Sequence, residues 1–419
     1  MRGHDLRAQL DAFLAGHEAE LVAFRRDIHA NPELAYAEHR TTRQVAERLT
    51  RAGLRPVPLP KGTGLLVDVG PDDGPTIGLR ADIDALPLAD EKDVPYRSTV
   101  PGAAHACGHD VHTTVLTGAG IFLAQQAAAG VLPGRVRLIF QPAEELPGGA
   151  LDVLSAGGLA GVDRVFALHC DPALQVGQVG LRVGAITSAC DKVTVRLTGP
   201  GGHTARPHLT ADLVYALGKI VTELPAALSR RVDPRSSLSL VWGRISAGSA
   251  PNAIPDGGIA QGTVRCLDDE AWHLAPDLVK SLLDSVAEAY GVEAELDYRR
   301  NVPPTVNEET SVQMFRDAVS RVLGPGAESP TPQSLGGEDF AWLLESVPGA
   351  MARLGTTGPG DGAGETPMDL HRGTFNVDER AIGVGVRVMA GTAITALWEG
   401  ARTTAEDVDV PSPQTIDYV

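Results

Sequence analysis

Three short apolar runs in the first half of the chain lead directly into chemically active side chains. Thr76 to Leu79, Val136 to Phe140 and Val165 to Leu168 have the length and composition of central parallel strands. The polar residues that follow the three runs are Asp82 and Asp84, Glu144 and Glu145, and His169. In α/β proteins ligands bind at the carboxyl ends of such strands. The pattern therefore predicts an α/β fold with a mainly parallel sheet flanked by helices and a polar site at one edge.

Helical patterns alternate with these strands. Apolar spacing predicts helices from about Leu6 to Asn31, Tyr36 to Ala52, Val111 to Ala129 and Glu379 to Leu397. Further strands are expected at Leu65 to Val69 and Ala350 to Leu354. The polar segment 401–419 is expected to be a flexible tail.

The texture changes between residues 188 and 300. Strands are expected at 193–198, 237–245, 258–267 and 294–298, with helices at 212–224 and 275–290. This strand-helix-strand-strand-helix-strand order matches the split βαβ, ferredoxin-like α+β arrangement. We therefore predict a smaller domain at 188–300 inserted into a catalytic domain made of 1–187 and 301–400.

A thiol and three imidazoles fall within the eight residues His105 to His112. Cys107 and His109 are two apart, and Gly108 between them has no side chain to prevent their convergence. Thiolate and imidazole suit zinc, cobalt, nickel or manganese better than calcium or magnesium. A buried loop with satisfied histidines is the alternative. His112 is expected to support the site rather than to bind the metal.

The carboxylates at the strand ends suggest two kinds of work. Glu144 and Glu145 are adjacent, so one can bind metal while the other moves protons on the attacking water. Asp82 or Asp84 could bind metal directly or orient a histidine that binds it, and we expect the orienting role. A surface-turn ion pair with Arg80 is the alternative. A packed core position is the alternative for His169.

Composition limits the partners that we expect. The 419 residues include 36 Lys and Arg against 53 Asp and Glu, which gives a net charge of −17 and makes nucleic acid and anionic membranes poor partners. We see no apolar segment of signal-peptide length near Met1, and no uninterrupted apolar run long enough to span a membrane. The 4 cysteines are far apart, as expected for reduced thiols. A cytoplasmic location is the resulting expectation.

Taken together, the motifs resemble the dinuclear-metal amidohydrolases that include aminoacylases, hippurate hydrolase and indole-acetyl-amino-acid hydrolases. The resemblance extends over about residues 20 to 398, in order and with similar spacing. The matching segments are Phe24-Arg25-Arg26, His29, Asn31-Pro32-Glu33-Leu34, 80–87 (RADIDALP), 105–110 (HACGHD), 140–145 (FQPAEE), Gly201-Gly202-His203, 252–256 (NAIPD), 336–340 (GGEDF) and Leu370-His371.

The resemblance implies a set of roles. Two divalent metal ions per subunit, of the Zn, Mn, Co or Ni kind, are bound by Cys107, His109, Glu145, His169 and His371. Glu144 is implied as the general acid/base. The inserted domain is implied to be a lid that also forms a homodimer, through which His203 completes the partner subunit's site. Asn252 and Arg265 are implied to hold the substrate's carboxylate.

Hydrolysis of N-acyl-amino acids to a carboxylic acid and a free amino acid is the activity that these roles imply. A dipeptidase or carboxypeptidase with the same metals is one alternative, and a non-catalytic protein that binds acyl-amino acids is another. Two segments depart from the family pattern, and the first of them concerns the shape of the pocket. Arg372-Gly373-Thr374 replaces a small, proline-bearing segment, and Gly337 stands where many relatives have Ser.

Overall fold

The computed structural model describes residues 5–146, 148–359 and 369–408, with side chains in the last helix described through Ala401. These residues form two compact units. Unit 1 takes in the described residues of Met1–Val183, Asn307–Thr331 and Leu343–Val419. Unit 2 comprises Gly184–Val306 and Pro332–Trp342.

The helices and strands follow one another in chain order. Those before residue 184 are α1 (Leu6–Ala30), α2 (His39–Arg51), β1 (Val57–Pro58), β2 (Leu65–Val69), β3 (Thr76–Asp82), α3 (His109–Ala128), β4 (Arg135–Gln141), α4 (Gly149–Ser155), β5 (Arg164–Gln175) and β6 (Val179–Leu181). The next are β7 (Gly184–Thr187), β8 (Ala189–Thr198), β9 (Gly202–His203), α5 (Leu213–Leu228), β10 (Ser239–Ala247), β11 (Ala253–Ile254), β12 (Gly257–Cys266), α6 (Asp269–Tyr290) and β13 (Glu293–Val302). The last are β14 (Thr305–Asn307), α7 (Glu309–Val322), β15 (Glu328–Pro330), α8 (Ala341–Leu344), β16 (Gly349–Thr357) and α9 (Arg380–Val408).

Unit 1 is built on an eight-stranded sheet in the order β1-β2-β4-β3-β5-β16-β6-β15. Its centre is parallel, since β3 pairs with β4 and β5, and β5 pairs with β16, all in the parallel sense. In register, Asp82 at the end of β3 lies opposite Gln141 at the end of β4. The predicted α/β fold with a mainly parallel sheet is confirmed, and two of the predicted polar strand ends meet at one edge.

The core of unit 1 lies between this sheet and helices α1, α3, α7 and α9, whose apolar residues form one buried cluster with the central strands. Helix α3 is buried on almost every side, as expected of a core helix. Residues 380–401 of α9 form one helix, among those described, that is long and apolar enough to cross a membrane. Because 83% of its apolar window is buried inside the protein, it also has the features of a core helix.

Unit 2 contains a four-stranded antiparallel sheet in the order β10-β12-β8-β13. Helices α5 and α6 pack their apolar sides into a second core with this sheet. Numbered along the chain as the first to fourth strands, β8, β10, β12 and β13 stand in the order 2-3-1-4. This is the ferredoxin-like topology expected from the sequence.

Several predicted boundaries were wrong. Strand β5 does not end before His169 but continues to Gln175. Helix α6 starts at Asp269 rather than at Ala275, because the Asp268 side chain caps it by accepting from the Ala271 N–H at 2.8 Å. The first part of the predicted tail continues helix α9 through Val408, because residues 401–410 contain no Gly or Pro. Residues 409–419 of the tail lie outside the described part.

Helix α2 begins at His39, three residues after the predicted start. Tyr36 has a left-handed backbone with φ of 64° and cannot belong to the helix. The Glu33 carboxylate then accepts from the N–H groups of Arg40 and Thr41 at 2.9 and 2.7 Å. The start of α2 is thus fixed by this cap.

Residues 332–342, which the sequence analysis placed in the catalytic domain, belong to unit 2. Their backbone bonds explain this placement. Ser334 N–H donates to Ile186 O at 2.9 Å, and the Ser188 N–H donates to Gly336 O at 3.2 Å.

Candidate metal centre

The turn before α3 brings Cys107 and His109 together. Gly108 has a φ of 90°, a left-handed conformation that glycine adopts without strain. A Cβ at this position would lie 2.7 Å from the Cys170 Sγ, so no side chain fits. Cys107 is buried immediately before the turn, and His109 is the buried first residue of α3.

A carboxylate fixes the orientation of the His109 ring. Its Nδ1 lies 3.1 Å from Asp84 Oδ1, which favours a proton on Nδ1 and leaves the Nε2 lone pair free. His109 Nε2 is buried and has no hydrogen-bond partner among the described residues. The other oxygen of Asp84 accepts from the Glu145 N–H at 3.0 Å. Asp84 therefore holds a histidine and the strand-end glutamate turn at once.

His112 is fully engaged in supporting contacts. Its Nδ1 is 2.6 Å from Asp82 Oδ1, and its Nε2 accepts from the Cys170 N–H at 2.8 Å. Asp82 also forms a buried ion pair with Arg80 at 2.7 Å. Asp82 therefore pairs with Arg80 and also orients a histidine, although that histidine is His112 and not one of the expected metal ligands.

His169 points one ring nitrogen toward Cys107. Its Nδ1 donates to the Cys170 carbonyl at 2.8 Å, which leaves Nε2 as the acceptor, 3.5 Å from the Cys107 Sγ. The Cys170 side chain packs against Gly108.

Glu145 joins the remaining histidine to this group. Its Oε1 lies 3.9 Å from His109 Nε2 and 3.3 Å from His371 Nε2. His371 also has a left-handed backbone, with φ of 59°, and its N–H donates to the Ala106 carbonyl at 2.8 Å. Two residues later, a Cβ on Gly373 would lie 2.4 Å from the Ala89 carbonyl. The unusual segment after His371 thus fits a close approach of two loops.

Ligand atoms from these residues form overlapping groups in which all atoms lie within 4.8 Å of one another. Three of the groups are Cys107, His109 and His169; Cys107, Glu145 and His371; and His109, Glu144 and Glu145. Soft thiolate, imidazole and carboxylate donors in such groups are typical of zinc-like divalent ions. Together with the buried lone pair of His109, this donor set fits a divalent metal.

The electrostatics of the site also favour a cation. Burial alone would lower the pKa of His109, but Asp82 and Cys107 outweigh it and hold that pKa well above its usual value. Burial raises the pKa of the Cys107 thiol, so the thiolate needs a nearby positive charge. A bound metal ion would supply that charge and displace the protons.

The remaining predicted site residues lie in unit 2. His203 is exposed on β9, and its Nδ1 accepts from the Ala205 N–H at 3.0 Å. Asn252 is also exposed. It lies beside His203, because the Asn252 carbonyl accepts from the Thr204 N–H at 3.3 Å. Arg265, on β12, donates from its guanidinium to the Leu335 carbonyl. The contacts described for these three residues are all within unit 2.

A buried charged network next to His109 was given no definite role by the sequence analysis. Asp110 Oδ2 lies 2.7 Å from Arg25 Nε and 2.6 Å from His29 Nδ1, and the other nitrogen of His29 is 3.1 Å from Asp90 Oδ2. His29 thus links α3 to the loop that holds Asp90. Among the segments that carry the family resemblance, only the run from Phe24 to His29 could have indicated this link.

The fold and the donor set together fit a divalent-metal site at the edge of a mainly parallel sheet. Residues 78–395 match peptidase family M20/M25/M40. The chain belongs to this family.

Individual relatives agree with that assignment. An N-acetyl-L-cysteine deacetylase of Bacillus subtilis (strain 168) is 37% identical over 366 residues, covering 87% of this chain and 85% of the relative. A dinuclear metal binding peptidase of family M20 from Bacillus subtilis has a similar structure, with a TM-score of 0.80, 33% identity, and coverage of 93% of this chain and 99% of that chain.

A protein of Rhodococcus jostii (strain RHA1) named glutamate–cysteine ligase 2-3 is 50% identical over 381 residues. The match covers 91% of this chain but only 47% of that relative. The chain therefore spans about half the length of this relative.

Proposed function

We propose that the protein hydrolyses the amide bond of N-acyl-amino acids to give a carboxylic acid and a free amino acid. One observation carries the proposal. Ligand atoms of His109, Glu144 and Glu145 lie within 4.8 Å of one another, so a proton-accepting carboxylate stands at a group of metal donors. Amide hydrolysis needs this combination of an electrophilic cation and a general base.

We further propose that Cys107, His109, Glu145, His169 and His371 bind two divalent ions. Such ions, when bound, polarise an amide carbonyl as Lewis acids. The orphan Nε2 of His109 and the short contacts of Cys107 and Glu145 support this ligand set.

Glu144 is proposed to move the proton. Its carboxylate takes a proton from the attacking water and returns it to the leaving nitrogen. His203 is proposed to stabilise the oxyanion, and Asn252 and Arg265 to hold the substrate's carboxylate. These three assignments rest on the sequence resemblance.

The N-acetyl-L-cysteine deacetylase among the relatives suggests where to start with substrates. A panel of N-acetyl and N-benzoyl amino acids, headed by N-acetyl-L-cysteine, is incubated with protein loaded with Zn, Mn, Co or Ni. Release of the free amino acid, abolished by a chelator and restored by metal, is the expected result. Dipeptides in the same panel test the peptidase alternative. Binding of N-acyl-amino acids without turnover under every metal would instead favour the non-catalytic alternative.

A homodimer and a cytoplasmic location remain proposals. The dimer is supported by the need, implied by the resemblance, for His203 to come from a neighbouring copy. Sedimentation of the active protein tests it, and a fully active monomer would contradict it.

A further inference from the structure

The turn that carries Glu144 is held on both sides by buried carboxylates. On one side Asp84 Oδ2 accepts from the Glu145 N–H at 3.0 Å. On the other side Glu38 Oε1 accepts from the Ala143 N–H at 2.8 Å. Glu38 is 105 residues away in sequence from Ala143 and is completely buried.

Ala143 has a backbone conformation that needs such support. Its φ is 50°, and it is one of only four non-glycine residues with positive φ in the described part of the chain. Residues other than glycine keep this conformation only where the surroundings enforce it. Since Ala143 directly precedes Glu144, its conformation sets the direction in which the chain enters the proposed catalytic pair.

Glu38 is itself firmly anchored. Its carbonyl accepts from the N–H and the hydroxyl of Thr42, at 3.0 and 2.6 Å, in the first turn of α2. The Thr42 hydroxyl in turn accepts from the Gly64 N–H at 2.8 Å. A Cβ on Gly64 would lie 2.6 Å from the Pro142 ring, so this anchor reaches the residue before Ala143.

We propose that Glu38 is a positioning residue for amide hydrolysis, which holds Ala143 in its left-handed conformation and thereby aims Glu144 and Glu145 into the site. The inference rests on the function proposed above. Glu38 acts through the backbone and has no contact with substrate in this role. This role differs from that of a proton donor, because positioning Ala143 needs the acceptor oxygen of Glu38 and not its acidic proton.

The test is a double-mutant cycle between positions 38 and 143. Glu38→Ala removes the acceptor, and kcat for N-acyl-amino acid hydrolysis is expected to fall by about 10²-fold, the scale of a misplaced catalytic group, with little change in KM. Ala143→Gly in that background restores kcat by about tenfold or more, because glycine adopts positive φ without strain. Glu38→Gln keeps an acceptor oxygen and retains kcat within a few-fold of wild type.

Stability is a separate readout. In the double variant the backbone N–H at position 143 is still buried without its partner, so the melting temperature stays low while kcat recovers. Glu308→Ala serves as a matched control, since Glu308 caps α7 by accepting from the Ser311 N–H at 2.6 Å and is far in sequence from the turn. This control lowers the melting temperature without a comparable loss of kcat. If Glu38→Ala does not fold, Glu38→Asp, whose shorter side chain does not reach Ala143, replaces it in the cycle.

Metal binding gives a readout independent of turnover. Because Glu145 lies on the same turn, Glu38→Ala is expected to weaken Zn²⁺ affinity, measured by competition with a chromogenic chelator, by about tenfold. Unchanged kcat and Zn²⁺ affinity in Glu38→Ala, or a double variant as inactive as Glu38→Ala, would overturn the proposal. Wild-type protein that hydrolyses no N-acyl-amino acid would refute the proposed function, while the Zn²⁺ measurement would still decide the role of Glu38.

Discussion

The proposed residues of unit 1 and those of unit 2 differ in how firmly they are held. His109 is buried, and Asp84 fixes its ring at 3.1 Å. His203 is exposed on a two-residue strand, and its Nδ1 accepts from the Ala205 N–H two residues away. A metal ligand needs a fixed direction before the metal arrives, whereas a group that meets the substrate can be ordered on binding. The comparison therefore predicts different consequences of mutation in the two units.

The largest effect is expected within unit 1 at Glu144. Glu144→Gln removes the proton-accepting carboxylate but keeps the shape of the side chain. Turnover should fall by about 10²-fold or more, the usual scale for loss of a general acid/base. Metal content, measured by atomic emission, should stay at the wild-type level. Undiminished hydrolysis by this variant would remove Glu144 from the mechanism.

In unit 2, His203→Ala should lower kcat by about 10²-fold, as loss of an oxyanion partner does, without changing metal content. Mixing this variant with Glu144→Gln tests whether His203 acts across a dimer. Random exchange of subunits in an equimolar mixture should recover about a quarter of wild-type activity, because half of the dimers then contain one complete site. A mixture that stays inactive after subunit exchange would exclude action between subunits.

A smaller effect is expected at the residue that orients His109. Asp84→Asn weakens the bond to the His109 ring and should lower metal affinity by about 10- to 100-fold. Asp163→Asn is the matched control, because Asp163 accepts from the Thr76 N–H at 2.7 Å at the opposite end of β3. If both variants bind metal equally well, the firm support of His109 has no functional meaning.

The smallest effect concerns the pH dependence of stability. Burial raises the pKa of Glu38 from 4.5 to about 7, so the folded protein keeps a proton that the unfolded chain loses. The stabilising effect of that proton is complete below pH 4.5 and is lost as the pH rises to about 7. Relative to Glu38→Gln, the unfolding free energy of the metal-free wild type should fall by roughly 1–3 kcal/mol over this range. Urea unfolding of both proteins checks this, and parallel pH profiles would show that Glu38 does not titrate there.

The sequence predicted the parts of the site that local patterns determine. Apolar runs fixed β3 and β4, and the residues directly after them, such as Asp84 and Glu145, lie together as expected. The family resemblance was confirmed by the match to peptidase family M20/M25/M40. The ligand roles, which came from that resemblance, remain predictions.

Contacts between distant segments could not be predicted from local patterns. The bond from the Ala143 N–H to Glu38 joins residues 105 positions apart, and nothing in the local sequence of Glu38 indicates its partner. The left-handed conformation of Tyr36, which delays the start of α2, runs against the ordinary preference of a tyrosine, so the residue type gave no signal of it. The length of β5 was underestimated because its pairing with β16 continues past His169 to Asp171 and Gln175.

The central claim is that a divalent metal at Cys107, His109, Glu145, His169 and His371 makes the protein an amide hydrolase. Its most direct test is a titration of metal-free protein with Zn²⁺ in which bound metal and the release of cysteine from N-acetyl-L-cysteine, or of the amino acid from the best substrate of the panel, are measured on the same samples. We predict that activity rises in proportion to metal bound, up to two ions per subunit. Full activity in the metal-free protein would contradict the account.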